Sequence, residues 1–280
     1  MDVKIITDST ADIPQKRRAE LGVESVPLTV RFGDKEYKDG IGLTAREFFE
    51  MLQKSEQLPT TAQINPQEFE KVFAPYAQSG QEAVGIFLSG KLSGTYQSAV
   101  IGKNLLGARN IHLVDSETVT FGLALLVFEA VRMRDAGYSA KQICEALKKL
   151  KPRLRFYAAF DTLKYLKMGG RLSASSALVG SVLHVKPIVS IKDGEVISID
   201  KKRGMRAAAR QIGEIMKQEK PDPGHPIVFG DTCAPQVLSL VREAAAGAAD
   251  LSGSETISIG SVVGTYAGPG CAGLAYIAQA

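Results

Sequence analysis

The fold is decided by one stretch of the sequence, Ser89-Gly90-Lys91-Leu92-Ser93-Gly94-Thr95-Tyr96-Gln97-Ser98-Ala99. It follows a short apolar run, residues 83–88, which predicts a buried parallel strand. It leads into residues 94–106, where apolar side chains recur at helical spacing. The stretch is therefore a hydroxyl-rich, glycine-containing loop between the carboxyl end of a strand and the amino end of a helix.

Such a loop suits an anion, because free backbone N–H groups and the helix dipole favour negative charge there. Open α/β sheets also hold their ligands at this position. Gly90 and Gly94 allow a close approach of the backbone, and the hydroxyl groups of Ser89, Ser93 and Thr95 can donate to an oxygen atom. A helix cap is the other interpretation of these hydroxyls, and this segment alone leaves both open.

Two further strands end in polar residues in the same way. Residues 3–7 lead into Asp8, and residues 111–114 lead into Asp115 and Ser116. Strands that alternate with helices predict a mainly parallel sheet with helices on both faces. Right-handed crossovers bring the carboxyl ends of these strands to one edge of the sheet, which favours a binding site over a simple cap.

The remaining elements of the first half follow from capping and alternation patterns. Residues 44–47 and 65–68 have capping-box spacing, so each predicts the start of a helix. Residues 24–32 predict one strand, which turns into residues 35–38 as a hairpin. Between the two helices, residues 58–64 predict a loop that places hydroxyl groups before a helix.

The second half predicts another α/β unit with an added hairpin, 187–199. An apolar helix is expected over residues 174–183, and a glycine-rich loop over 262–270 before a terminal strand. The likeliest boundary is Lys151-Pro152-Arg153, which gives an N-terminal α/β domain, 1–153, and a C-terminal α/β domain, 154–280. The ligand is expected between the two domains.

Composition limits the function classes. The chain has 280 residues, of which 45% are hydrophobic and 23% charged, as in soluble globular proteins. The net charge of +4 does not indicate a nucleic-acid partner. Three separated cysteines suggest neither disulfides nor a metal pair. The first residues show no signal-peptide pattern, and the longest apolar run is far short of the ~20 residues that span a bilayer, so a cytoplasmic location is expected.

Established catalytic patterns are missing from the sequence. None of the three histidines has a partner at metal-ligand or triad spacing, and neither a Gly-x-Ser-x-Gly elbow nor a phosphate-binding Walker loop occurs. Asp8 and Asp12 lack the spacing of aspartyl phosphotransferases, so we expect them to cap a helix or to bond across the sheet edge. Two basic residues stand out: Arg171, between a glycine pair and a helix start, and Arg203, at the end of the hairpin.

The sequence resembles the DegV family. The resemblance rests on several short motifs that occur in order over the whole chain: Ile5-Ile6-Thr7-Asp8-Ser9-Thr10-Ala11-Asp12, the loop at Thr61, Leu88 to Ala99, Val114-Asp115-Ser116, Gly170-Arg171-Leu172-Ser173 and Gly268-Pro269-Gly270. It implies a two-domain α/β protein, without a cofactor or a metal, that holds one long-chain fatty acid in an apolar tunnel.

The resemblance also implies a partner and a set of site residues. Such proteins carry the acyl chain for a separate ATP-dependent fatty acid kinase and hold the acyl phosphate for phospholipid synthesis; transient contact with a membrane surface stays open. By motif, Thr61, Ser93 and Tyr266 bind the carboxylate, while Arg171 and Arg203 handle the phosphate or dock the kinase. The chain itself is then not an enzyme.

Two departures from the family pattern matter. The loop Thr-Ser-Gln-Pro-Ser reads Thr61-Ala62-Gln63-Ile64-Asn65 here, and the histidine that often stands two residues before Gly268 is Tyr266. A tyrosine can donate to the carboxylate but carries no positive charge, so fatty-acid binding is a firmer expectation than the kinase role. A small-molecule phosphotransferase or hydrolase, and a lipid-binding regulatory protein, are the alternative functions. Candidate tunnel residues are Leu178, Leu183, Ile188, Val189, Val262 and Val263.

Overall fold

The computed structural model describes residues 3–55, 57–174 and 184–280. Its strands are β1 (Lys4–Asp8), β2 (Val23–Val26), β3 (Thr29–Phe32), β4 (Lys35–Lys38), β5 (Thr60–Ala62), β6 (Ala83–Phe87), β7 (Ile111–Asp115), β8 (Leu154–Ala159), β9 (Val185–Lys192), β10 (Glu195–Arg203), β11 (Val228–Asp231), β12 (Glu255–Ser258) and β13 (Ala272–Ile277). The helix predicted over 174–183 lies, after Ala174, outside the described residues.

Helices pack on the sheets that these strands form. They are α1 (Gln15–Glu20), α2 (Ala45–Lys54), α3 (Pro66–Ser79), α4 (Thr95–Leu105), α5 (Thr120–Asp135), α6 (Ala140–Leu150), α7 (Lys164–Met168), α8 (Met205–Glu219), α9 (Pro235–Ala246) and α10 (Ser261–Ala267). The capping boxes predicted at Thr44 and Asn65 are present at the starts of α2 and α3.

The first sheet is parallel throughout, as predicted, with strand order β2-β1-β6-β7. The carboxyl ends of β1, β6 and β7 meet at one edge. There the Leu88 N–H donates to Asp8 Oδ2 at 2.8 Å, and the Ser116 N–H donates to the Phe87 carbonyl at 3.0 Å. The expected edge of polar residues is therefore formed.

A small antiparallel sheet, β4-β3-β5, corrects two predictions. Residues 24–32 form two strands rather than one, because Pro27 has no N–H to continue a ladder and the chain moves to another sheet after β2. The predicted loop 58–64 contains β5, which pairs with β3 so that Thr61 lies opposite Val30. Thr61 is thus fixed by a strand instead of lying in a free loop.

The strands after residue 153 form a six-stranded sheet of order β10-β9-β8-β13-β11-β12. The predicted hairpin is β9–β10. The terminal strand β13 lies antiparallel between β8 and β11, and β11 pairs with β12 in parallel. The second half is therefore an α/β unit with a mixed sheet.

Helix α5 lies between the two large sheets. Twelve of its 16 residues are buried, since it is apolar on every side and contacts both β1 and β6 of the first sheet and β11 and β13 of the second. The Phe121 ring stacks on Phe156 of β8, with centroids 4.2 Å apart. One hydrophobic core thus runs from β1 through α5 to β11, and the domain boundary at 151–153 stays a prediction.

The glycine-rich loop predicted over 262–270 was wrong in its first part, which is the helix α10. Gly264 marks close packing rather than a turn. A methyl group at Gly264 would come within 2.8 Å of the Phe48 and Phe49 rings of α2, so glycine lets α10 approach α2 closely. A glycine-rich segment of this kind can indicate either a flexible loop or a helix that packs closely, and sequence alone does not separate the two.

The start of α10 is held by a carboxylate from the first half of the chain. Asp39 is only 2% exposed, and its Oδ1 accepts hydrogen bonds from the Ser261 N–H at 2.9 Å, the Ser261 hydroxyl at 2.6 Å and the Val262 N–H at 3.3 Å. Asp12 adds a bond from the Gly260 N–H at 2.9 Å. These two acids fix where the last helix sits.

Replacing Asp39 with alanine should therefore destabilise the protein strongly, because three buried donors lose their acceptor. We expect Asp39→Ala to lower the free energy of unfolding by about 3 kcal/mol. Asp39→Asn keeps an acceptor oxygen and should lose less than half as much. Urea unfolding at neutral pH measures both, with Asp34→Ala in the exposed β3–β4 turn as the control; equal losses for the alanine and asparagine variants would contradict this role.

Candidate functional site

A cavity of about 370 Å³ lies between the parallel sheet, the six-stranded sheet and α10, within the size range of small-molecule pockets. Most of its described wall is apolar: Leu28, Ala62, Leu88, Leu92, Gly94, Val119, Phe121, Phe156, Ala158, Phe160, Leu166, Val189, Ile191, Val196, Ile259, Val262, Val263, Ala267 and Cys271. Its polar wall residues are Thr10, Thr61, Gln63, Ser93, Thr120, Arg171 and Tyr266. The cavity thus combines a long apolar wall with a few polar groups.

Thr61 and Tyr266 meet in this wall, although 205 residues separate them. The Tyr266 hydroxyl lies 2.6 Å from Thr61 Oγ1, a hydrogen bond in which either group can donate. β5 supplies Thr61, and the last turn of α10 supplies Tyr266. Because one proton is used between the two oxygens, the pair has one further hydroxyl proton to donate to a ligand.

Arg171 joins Tyr266 to the loop of Ser93. Its Cζ lies 4.6 Å from the Tyr266 ring centroid, a cation–π distance. Its Nη1 donates to the Gly169 carbonyl at 2.6 Å, and its Nε lies 3.4 Å from the Leu92 carbonyl. Among the described wall residues Arg171 is the one with a formal charge, so the polar part of the cavity is positive.

Ser93 lies in the wall, but the loop that carries it is less open than its sequence suggests. The Gly90 N–H already donates to the Asp115 carboxylate, at 3.2 Å to each oxygen, and the Lys91 N–H donates to Ser89 Oγ at 3.2 Å. The anion expected in this loop is thus partly the protein's own Asp115. Ser89 is buried and donates to the Gly194 carbonyl at 2.8 Å, so it is a structural residue.

Ser93 both supports the start of a helix and lines the cavity, so the cap and the binding interpretations of its hydroxyl are compatible. Its Oγ accepts the Thr95 N–H at 3.3 Å and lies 3.0 Å from Thr95 Oγ1 at the start of α4. The same side chain lines the cavity. Ser93 can therefore stabilise the helix start while its hydroxyl takes part in binding.

Gln63 also lines the cavity, although the sequence motifs do not single it out as a site residue. Its Nε2 donates to Ser98 Oγ at 3.1 Å, and its Oε1 sits over Gly94. A side chain at Gly94 would displace this amide, so glycine leaves room for the Gln63–Ser98 hydrogen bond. The retained Gln63 in an otherwise altered loop was the signal that could have found it.

The acidic residues at the sheet edge are structural. Asp8 Oδ1 accepts the Thr10 N–H at 2.9 Å and the Thr10 hydroxyl at 2.5 Å, while Oδ2 accepts from Leu88. Burial raises the pKa of Asp8 to about 6. Burial, followed by the charge of Asp39, raises the pKa of Asp12 well above its usual range. Asp8 bonds across the edge to Leu88, as predicted, whereas Asp12 accepts from the Gly260 N–H before α10.

Other predicted residues lie in different places. Arg203 is exposed at the end of β10 and does not line the cavity. Val189, Val262 and Val263 do line it, whereas Ile188 faces the opposite side of the sheet and packs against Ala208 and Ile212 of α8. Leu178 and Leu183 lie outside the described residues.

The described residues offer neither a cluster of metal ligands nor a helix that could span a membrane. In the ranges 3–55, 57–174 and 184–280, no three His, Cys, Asp or Glu side chains come together as metal ligands. None of the helices in the described part of the chain is both long and apolar enough to span a bilayer.

Comparison with known proteins agrees with this arrangement. A family model described as "Uncharacterised protein, DegV family" matches residues 2–279. The chain belongs to the DegV family. A DegV domain-containing protein of Caldanaerobacter subterraneus is 36% identical over 273 residues, which is 97% of both chains.

Solved structures of DegV family proteins have the same fold. One from Thermus thermophilus, described by its fatty acid binding, has a TM-score of 0.91, 27% identity and full coverage of both chains. DegV of Bacillus subtilis, described as a fatty acid binding protein, has a TM-score of 0.84 and 27% identity, also over both full chains. A stearic acid-binding protein of Eubacterium ventriosum has a TM-score of 0.85 and 26% identity over 99% and 98% of the chains.

The position of Tyr266 depends on Gly169, because a methyl group there would overlap the tyrosine ring. We expect Gly169→Ala to lower the free energy of unfolding by about 1–3 kcal/mol through overpacking. In a Tyr266→Ala background the loss should disappear, which a double-mutant cycle measures.

Gly170→Ala is the matched control for this cycle. Gly170 has a φ of 69° and open space around it, so alanine there adds backbone strain without touching Tyr266. Its cost should be the same in both backgrounds. Equal costs for Gly169→Ala in both backgrounds would contradict the contact.

Proposed function

We propose that this DegV family protein binds one long-chain fatty acid, with the carboxylate at Thr61, Ser93 and Tyr266 and the acyl chain along the apolar wall. The observation that carries the proposal is the meeting of these three hydroxyl residues and Arg171 in the wall of one largely apolar cavity. Solved relatives described as fatty acid binding proteins, at 27% identity over full chains, support it.

The polar groups suit an ionised carboxyl group. One hydroxyl of the Thr61–Tyr266 pair donates to the other, which is then free to donate to the carboxylate. That second hydrogen bond is strengthened because its donor already accepts a hydrogen bond. Ser93 donates to the other carboxylate oxygen. Arg171 lies against the Tyr266 ring and supplies positive charge, which compensates for the histidine that this chain lacks.

The acyl chain supplies most of the affinity. Each buried methylene contributes about 0.8 kcal/mol of transfer free energy, so roughly 14 methylenes contribute ~11 kcal/mol before the cost of association. The hydroxyl groups then decide which end of the lipid occupies the polar part. A carrier of this kind needs no cofactor.

The chain acts as a carrier rather than as an enzyme, and a separate ATP-dependent kinase phosphorylates the carboxylate that it presents. Arg171 is placed to contact the acyl phosphate, since it is exposed and also reaches the wall beside Tyr266. Arg203 is exposed on β10 outside the cavity, a position suited to docking the kinase rather than to binding the lipid. The resemblance to the family motifs supports this part of the proposal.

Protein purified from a bacterial host should carry a fatty acid, visible in native mass spectrometry as a mass excess of a long-chain acid. After delipidation, Ser93→Ala should weaken oleate binding roughly tenfold or more, because a hydrogen bond to a charged group is worth about 1.5–3 kcal/mol. Binding of oleyl alcohol should change much less. Ser79→Ala, on the exposed end of α3, is the control.

Two outcomes would contradict the binding proposal. One is a protein that is purified without lipid and takes up neither oleate nor palmitate. The other is a Ser93→Ala variant that loses affinity for the alcohol as much as for the acid, since the hydroxyl would then not recognise the carboxylate.

Arg203→Ala separates the carrier role from lipid binding. We expect this variant to keep the oleate affinity of the unmodified protein but to form acyl phosphate several-fold more slowly with a fatty acid kinase and ATP. Lys192→Ala, at the other end of the same hairpin, is the matched control. Tight lipid binding without acyl phosphate formation by any such kinase would favour a regulatory lipid-binding role.

A further inference from the structure

A second, polar depression shares a wall residue, Ile191, with the cavity. This groove has a volume of about 530 Å³. Lys148, Lys151, Arg155 and Lys192 bring positive charge to its wall, and Glu117 and Asp193 bring negative charge. The charged wall of the groove suits water and ions, whereas an alkyl chain there would gain little from burial.

The walls of the groove and of the cavity come from neighbouring residues. Thr118 lines the groove, and the next residue, Val119, lines the cavity. Likewise Arg155 lines the groove and Phe156 the cavity. Ile191 belongs to both walls, and among the described residues it is the one that does. The partition is thus Ile191, with Val119 and Phe156 beside it.

Strand register places this partition at the end of β8 away from Tyr266. Ala158 pairs with Val189 and Tyr157 pairs with Ser190, so Phe156 and Ile191 are the next neighbours on the cavity face. At the other end of β8, Phe160 leads into the segment that packs on Tyr266 and Gly268. From Phe160 to Phe156 the strand runs about 13 Å.

We propose that Ile191 determines the longest acyl chain that the cavity accepts. This inference rests on the proposed fatty-acid binding. With the carboxylate at Thr61 and Tyr266, the methyl end of the chain points toward Phe156 and Ile191. A chain that ends before Ile191 is buried along its whole length, and each methylene strengthens binding about fourfold. A longer chain either bends or enters the charged groove, where further methylenes add no affinity.

The test is a series of saturated acids of increasing length, titrated into delipidated protein. The unmodified protein should bind more tightly with each methylene up to one length and then no further. Ile191→Ala removes three carbon atoms from the partition and joins the cavity to the groove, so the limit should move up by roughly two carbons or more. Ile191→Phe should move it down.

Val189→Ala is the matched control. Val189 lies on the same strand and the same face, and it lines the cavity but not the groove. The Val189→Ala variant should therefore keep the chain-length limit of the unmodified protein, although its cavity is larger. Thermal unfolding identifies any variant that does not fold. Ile191→Val, a smaller change, then replaces Ile191→Ala and should move the limit in the same direction.

The outcomes separate this inference from the function on which it rests. If the unmodified protein binds no acid of any length, the proposed function fails. If it binds acids with a clear length limit, and the limit is the same in the alanine, valine and phenylalanine variants at Ile191, the partition is overturned while fatty-acid binding stands. An equal shift in Val189→Ala would also overturn it.

Discussion

The site depends on one contact between distant parts of the chain, the carboxylate of Asp39 on the start of α10. Three hydrogen bonds to Asp39 Oδ1, with Asp12 on the preceding Gly260 N–H, fix the last helix against the first half. Five residues after Ser261, in its last turn, that helix presents Tyr266 to Thr61. This anchor acts together with the packing of α10 on α2 and β5 to bring the two hydroxyl groups together.

The same arrangement creates the cavity. α5 fills the space between the two large sheets along most of its length, and the Phe121–Phe156 stack closes the core beside it. Near the amino end of α5 the sheets are held apart by α10 and by the loop of Ser93, and the space between them is lined by apolar side chains. A largely apolar wall with a few polar groups is what an amphipathic acid requires.

Much of the fold could be predicted because local signals agreed with the tertiary structure. Capping boxes at Thr44 and Asn65, the apolar run of β6 and the β9–β10 turn each specify one local structure. The errors occurred where the deciding contact is distant in sequence. Gly264 indicated a loop until the Phe48 and Phe49 rings explained it, and β5 exists because β3 pairs with it.

The candidate site shows the same division. Thr61, Ser93, Arg171 and Tyr266 came from family motifs, and the structure brings all four to one cavity, but their hydrogen bonds could not be derived from spacing. Ser89 had the same local chemistry as Ser93, yet its hydroxyl donates to Gly194 of the hairpin. Arg203 lies apart from the cavity. Which hydroxyl faces a ligand is decided by packing between the two halves.

A crystal structure of the protein with an ω-bromo fatty acid tests the central claim most directly. The account predicts carboxylate oxygens within about 2.6–3.2 Å of the Thr61, Ser93 or Tyr266 hydroxyls, with the anomalous bromine signal inside the apolar cavity. A carboxylate in the charged groove, or bromine beside Tyr266, would contradict it.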